Sequence, residues 1–143
     1  MPKLIFVNFP VRDVQTSTDF YIALGARKDD RFSDETASCL VFSDTVHVMV
    51  LSHEKFSQFT PKEIADAKRT TEVLVALSCD SREDVDQTID RAAAAGGRAD
   101  PAPKQDYGFM YSRSFEDPDG HIFEMMWMDV EAAMRAFGKE SAA

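Results

Sequence analysis

The chain has 143 residues, a formal net charge of −9 at pH 7 and 44% hydrophobic residues. That is the size of one compact domain with enough apolar content for a core. The acidic balance argues against nucleic acid or an anionic membrane as partner, and no apolar run is long enough to span a bilayer.

Leu4 to Phe9 reads as a strand. Asp13 or a near neighbour caps a helix that carries Phe20, Tyr21 and Leu24 on its apolar side and stops at Gly25. Two strand-like runs follow, 37–42 and 46–51, joined by Ser43-Asp44. Thr60-Pro61-Lys62-Glu63 then reads as a helix start, with a cap, a proline at the first helical position and a glutamate three on; the helix is expected to end near Lys68-Arg69. Phe56 and Phe59 precede it. Such an insert either folds over a cleft or is a surface connector packed by its own phenylalanines.

The order then repeats. Residues 73–77 read as a strand, Ser81 with Asp84 as a capping box, and the helix runs to about Ala95 before Gly96-Gly97. A strand at 108–115, a turn at Asp117-Pro118-Asp119-Gly120 and a strand at 121–128 complete the copy. A short helix over 130–137 and disordered last residues are expected. The duplication predicts an α+β fold, each helix covering one sheet face and the opposite faces forming a cleft.

Glu124 is the most informative residue, because it interrupts the apolar stretch Ile122, Phe123, Met125, Met126, Trp127. A buried carboxylate must be paired, protonated or bound to a metal. If Glu116 pairs with His121 across the turn, Arg113 faces Glu124 and Tyr111 faces Met126, all toward the cleft. Arg113 is then the expected neutralising partner of Glu124. His121 has the opposite parity and is expected to face away. Cys39 and Cys79 sit in apolar runs and read as reduced core thiols; no Cys-x-x-Cys spacing suggests zinc. Met1-Pro2-Lys3-Leu4 lacks a signal-peptide pattern, so a cytoplasmic protein is expected.

Val11-Arg12-Asp13-Val14 with Phe20-Tyr21 and Leu24-Gly25, the Ala95-Gly96-Gly97 helix end, and Glu116-Asp117-Pro118-Asp119-Gly120-His121 with Glu124 together resemble the vicinal oxygen chelate superfamily. That superfamily includes glyoxalase I, bleomycin-resistance proteins, fosfomycin-resistance enzymes and extradiol dioxygenases. The chain looks closest to a branch of predicted lactoylglutathione lyases. The resemblance implies one glyoxalase-like domain over 1–143 built of two tandem βαβββ modules, with module one at 3–52, a helical insert at 53–70, module two at 71–129 and a tail at 130–143. It also implies a homodimer, in some members with a cleft built from two chains.

In metal-dependent members the ligands sit on the cleft side of four strands, and the matching positions here are Phe6, Met49, Leu74 and Glu124. Only Glu124 can bind a hard or borderline cation, so no cofactor is firmly implied and a divalent metal is disfavoured. A set shifted by one pleat would be Asn8, His47, Glu72 and Glu124. The expected ligand surface is Phe6, Asn8, Met49, Glu72, Leu74, Tyr111, Arg113 and Met126, with Glu124 and His47 as the candidate catalytic groups. Three functions follow from this pattern. One is a lyase of lactoylglutathione-lyase type acting on a small molecule in the cleft, its usual metal site largely lost. The alternative is a metal-free protein that sequesters a small molecule, of bleomycin-resistance type. The third is a metal-free enzyme with Glu124 or His47 as general base.

Overall fold

The computed structural model describes residues 2–138. The residues expected to be disordered at the C-terminus lie, from 139 on, outside that range. The first module comprises β1 (Ile5–Val11), α1 (Val14–Ala23), β2 (Arg27–Asp34), β3 (Ala37–Val41) and β4 (Val46–Ser52). A short α2 (His53–Ser57) and a connector lead into β5 (Val75–Ser78), α3 (Arg82–Ala94), β6 (Arg98–Ala99), β7 (Gln105–Asp106), β8 (Met110–Glu116), β9 (Ile122–Met128) and α4 (Val130–Ala136). The architecture is α+β, as the duplication predicts. One sheet has the order β1-β4-β3-β2 and the other β5-β9-β8-β6, with β7 also on β8. β1 runs parallel to β4 and β5 parallel to β9.

Local chemistry sets the helix ends. The Asp13 carboxylate accepts the Thr16 amide at 2.9 Å, which satisfies an orphan donor of α1. Ser81 accepts the Asp84 amide at 3.0 Å, while Asp84 reaches back to the Asp80 amide at 3.1 Å. At the far end of α3, a Cβ on Gly97 would collide with the Glu116 carbonyl oxygen and lie 2.8 Å from the Phe20 ring. Only glycine lets α3, β8 and α1 meet there.

Strand alternation then divides the molecule in two. Phe9 and Val11 of β1, Leu40 of β3, Val48 and Val50 of β4, Phe115 of β8, and Phe123 and Met125 of β9 all join one core with Phe20, Tyr21 and Leu24 of α1 and Val85, Ile89 and Ala92 of α3. The two sheets therefore share a core on their helix-covered sides. Their other faces, which carry the even-numbered residues of β1 and β9, are turned away from it. The β8–β9 turn also grips the first module directly. Asp119 accepts the Arg12 amide at 2.8 Å, and His121 Nε2 donates to the Pro10 carbonyl at 2.8 Å while its ring stacks on Phe9.

Several elements differ from the sequence expectation. The helix expected from Thr60 does not form. α2 instead follows β4 at once, capped by Ser52, which accepts the Lys55 amide at 3.1 Å. From 60 to 71 the chain makes turns, with Thr60 accepting the Lys62 amide and Asp66 the Lys68 amide. Of residues 61–69 only Ile64 and Ala67 are half-buried, so a helix would have no apolar face to dock, and a short undocked helix is unstable in water. β2, the strand that a βαβββ module needs after its helix, was not placed in the sequence, because its charged run Arg27-Lys28-Asp29-Asp30-Arg31 lacks alternation; it is an edge strand that pairs only with β3. β5 begins at Val75, two residues later than expected, which leaves Glu72 in a loop. No helix among the described residues is long and apolar enough to cross a membrane.

Candidate ligand-binding face

The register of β8 and β9 decides what surrounds Glu124. The Asp117 amide donates to the His121 carbonyl at 2.9 Å, and the Asp117 carboxylate accepts the His121 amide at 2.9 Å. His121 thus belongs to the turn, and Glu116 pairs with Ile122 rather than with His121. A slip of one residue exchanges the faces of a strand. Ser114, not Arg113, lies opposite Glu124, and Ser112, not Tyr111, lies opposite Met126.

The expected Arg113–Glu124 pair is therefore overturned. Arg113 turns to the helix side, where it forms a two-pronged contact with Asp100 (3.0 and 2.7 Å) and reaches Asp86 at 2.9 Å. Tyr111 follows it, donating its hydroxyl proton to Asp86 at 2.6 Å. The Arg82 guanidinium covers both the Tyr111 and Trp127 rings and pairs with Asp106. Tyr111 and Arg113 thus leave the ligand surface and join a packing network around α3.

Glu124 remains on the open face, half-buried, with no hydrogen bond or ion pair to its carboxylate among the described residues. Ala76 of β5 lies beside it on one side and Ser114 on the other, and Ile122 and Met126 flank it along β9. In the first sheet, the matching register pair is Asn8 with Met49. Phe6 and Leu74 are exposed near the starts of their modules, at 49% and 53%.

The shifted donor set is not brought together. His47 stacks on Phe6 at 4.3 Å, and its Nδ1–H donates to the Ile5 carbonyl at 3.2 Å. That contact leaves Nε2 as the basic nitrogen. Asn8 Nδ2 donates to the Phe6 carbonyl at 3.0 Å. Glu72 lies in the loop before β5, where it lines a small recess of about 40 Å³ with Phe9, Val73 and Gly120. Among the described residues, no three His, Cys, Asp or Glu side chains converge as a metal site would require.

Two cavities were not foreseen. An apolar one of about 340 Å³ is lined by Asn8, Leu51, Phe56, Phe59 and Thr60, where α2 and the following turn fold over the open face of the first sheet. Phe56 and Phe59 in the insert were its only signal in the sequence. A polar one of about 470 Å³, at the junction of the modules, is lined in part by Arg12, His53, Asp66, Lys68, Asp119 and His121. Its two fixed cations are balanced by its two carboxylates, and Asp119 and Asp66 already accept backbone amides there.

A family model described as Glyoxalase/Bleomycin resistance protein/Dioxygenase superfamily matches residues 3–125. The chain belongs to that superfamily. No curated protein sequence matches it. Among solved structures, a hypothetical protein from S. aureus is 23% identical, with a TM-score of 0.74 over 89% of this chain and 94% of that one. A glyoxalase/bleomycin resistance protein/dioxygenase family enzyme from Burkholderia phytofirmans PsJN is 22% identical, with a TM-score of 0.72 over 89% and 99%. The fosfomycin resistance protein FosX from Mesorhizobium loti is 18% identical, with a TM-score of 0.67 over 94% and 98%. At these identities the likeness is one of fold.

The positions that the resemblance assigns to metal ligands, Phe6, Met49, Leu74 and Glu124, hold no donor suited to a hard or borderline cation except the single Glu124 carboxylate. Zinc sites need three or four protein ligands, and magnesium or calcium an oxygen-rich shell. The residues present do not fit the metal.

Proposed function

We propose that the open sheet faces of this superfamily member bind a small amphiphilic molecule, with Glu124 as the charged anchor. The carrying observation is a half-buried carboxylate with no protein partner, set among Ile122, Met126 and Ala76. A carboxylate with no protein partner on a half-apolar face is free to pair with a cation or hydrogen-bond donor brought by a ligand. A ligand with an apolar body and a cationic or donor-bearing end supplies both. This is sequestration of the bleomycin-resistance kind rather than metal-dependent isomerisation of the lactoylglutathione-lyase kind. The homodimer belongs to the same reading: β1 and β5 are both sheet edges, and the approaches to both expose large apolar residues.

Turnover is the second reading, favoured by one observation. His47 Nε2 is left basic by the bond from Nδ1 to Ile5, so the open faces carry two free bases, His47 and Glu124.

The test starts with protein purified without chelator. Elemental analysis is expected to find far less than one divalent metal per chain. A thermal-shift screen of small organic cations is expected to give ligands that raise Tm in the wild type but not in Glu124→Gln. Stoichiometric metal that is lost in Glu124→Gln would overturn the reading. Turnover that survives EDTA and disappears in His47→Ala would favour the second.

A further inference from the structure

We infer that the cavity under α2 is a subsite for an aromatic ring carrying a hydrogen-bond donor, with Phe59 as its outer wall. The inference rests on the open face being the ligand surface, but it does not involve Glu124. The cavity measures about 340 Å³, within the range of small-molecule pockets, and every wall has an identifiable role. Leu51 lines it and is 3% exposed. Phe56, half-buried on α2, forms one side. Phe59 is 70% exposed although it borders an apolar cavity, with the Lys55 ammonium 5.7 Å from its ring centre. A large aromatic ring held this far into solvent offers a flat surface for a second ring to stack on.

The polar lining fixes what the ring must carry. Asn8 uses its Nδ2 on the Phe6 carbonyl, and its Oδ1 has no hydrogen bond among the described residues. Thr60 Oγ1 accepts the Lys62 amide and keeps its own proton to donate. The cavity, lined also by two phenylalanines, therefore presents one free amide acceptor and one hydroxyl donor. An aromatic amine or amide satisfies the acceptor, whereas a plain alkyl chain leaves it unpaired.

N-Phenyl-1-naphthylamine is a neutral fluorescent probe with two ring systems and one N–H donor. Titrated into the whole protein, it is expected to give saturable emission at one site per chain. Phe59→Ala should weaken binding about five- to tenfold, the scale of one lost aromatic pair. Its Tm should not change, because Phe59 is exposed. Leu51→Trp, which puts an indole into the cavity lining, should abolish saturation, and circular dichroism would verify that it folds. The anchor reading is followed separately, by the Tm response to small organic cations in Glu124→Gln, so its failure and the failure of this one are separable. Three outcomes would overturn the subsite: unsaturable emission, equal affinity in Phe59→Ala, or effective competition by a linear alkylamine of similar size. So would a Phe59→Ala protein that changes oligomeric state while binding the probe unchanged, because Phe59 would then be a contact between chains.

Discussion

The Tyr21 hydroxyl donates to Asp117 Oδ2 over 2.6 Å and so ties α1 of the first module to the β8–β9 turn of the second. Asp117 is 3% exposed, and its other oxygen holds the turn by accepting the Asp119 and His121 amides, each at 2.9 Å. Burial pushes the Asp117 carboxyl above its ordinary range and the Tyr21 phenol well above its own, while the Tyr21 hydrogen bond pulls Asp117 back down. A carboxyl whose folded pKa is raised binds its proton more tightly in the folded state. Stability from this group therefore falls as pH rises from the ordinary carboxylate range through the raised value. Tyr21→Phe leaves Oδ2 buried without a donor, and urea denaturation at pH 7 should show a loss of about 1–3 kcal/mol. The loss should shrink in acid, where Asp117 is protonated. An unchanged midpoint at pH 7 would show that the bond contributes nothing.

Arg113 predicts the opposite pH behaviour. Asp86 is held below its ordinary range by the Tyr111 hydrogen bond first and by Arg113 as well, and Asp100 chiefly by its Arg113 hydrogen bonds. Stability from these depressed carboxyls is present above the ordinary range and is lost as pH falls through their folded values. Arg113→Leu should therefore cost about 1–3 kcal/mol at pH 7, reduced from the fully buried case because both aspartates are partly exposed. The gap between wild type and variant should close toward pH 3. The expectation fails if the gap is the same at both ends.

The duplication was legible in Asp13, in Ser81 with Asp84, and in the glycines ending both helices, because caps and stops act through local backbone chemistry. The face carrying Glu124 was legible too, since strand parity needs only the strand itself. What Glu124 meets across the hairpin was not. That depended on whether His121 opens β9 or closes the turn, and the Asp117 carboxylate decides it by binding the His121 amide. One residue of turn length exchanged Arg113 and Tyr111 for Ser114 and Ser112. The connector was misread for a related reason: Thr60-Pro61-Lys62-Glu63 is a good start signal, but Ile64 and Ala67 do not amount to a face that packing could hold.

Gly120 fixes that connector in place. Its φ is +99°, and an added Cβ would lie 2.8 Å from the Ala67 carbonyl oxygen and 2.9 Å from the Lys68 nitrogen. Gly120→Ala combines left-handed strain with a clash against backbone that cannot rotate away. It should lower stability by about 1–3 kcal/mol and loosen the chain around Lys68. Limited trypsin digestion reads this directly, as faster cleavage after Lys68 or Arg69 under native conditions. Cleavage at the wild-type rate would mean that the connector does not depend on the turn.

Cys79 lies in a protected setting. Burial, with the Asp84 and Asp80 carboxylates adding to it, pushes its thiol up to about 12. Burial also raises the Cys39 thiol. The thiolate is the reactive form, so both side chains should stay protonated and unreactive at pH 8. A disulfide-exchange dye should label almost none of the native protein and both thiols in urea. Rapid labelling of one thiol in the native state would show that Cys79 is more open than its surroundings imply.

Leu74 tests the dimer separately from the ligand. It is 53% exposed at the approach to edge strand β5, and Phe6 is 49% exposed on edge strand β1. Two apolar edges left to water are an aggregation hazard, which a second copy would cover by burying both rows. Sedimentation at micromolar concentration should find the wild type dimeric. Leu74→Glu adds a charge that a dry interface cannot solvate, and it should shift the protein to monomer without lowering the monomer's helix content. A monomeric wild type would sink the dimer. It would also leave the ligand to be held by one chain's open faces alone.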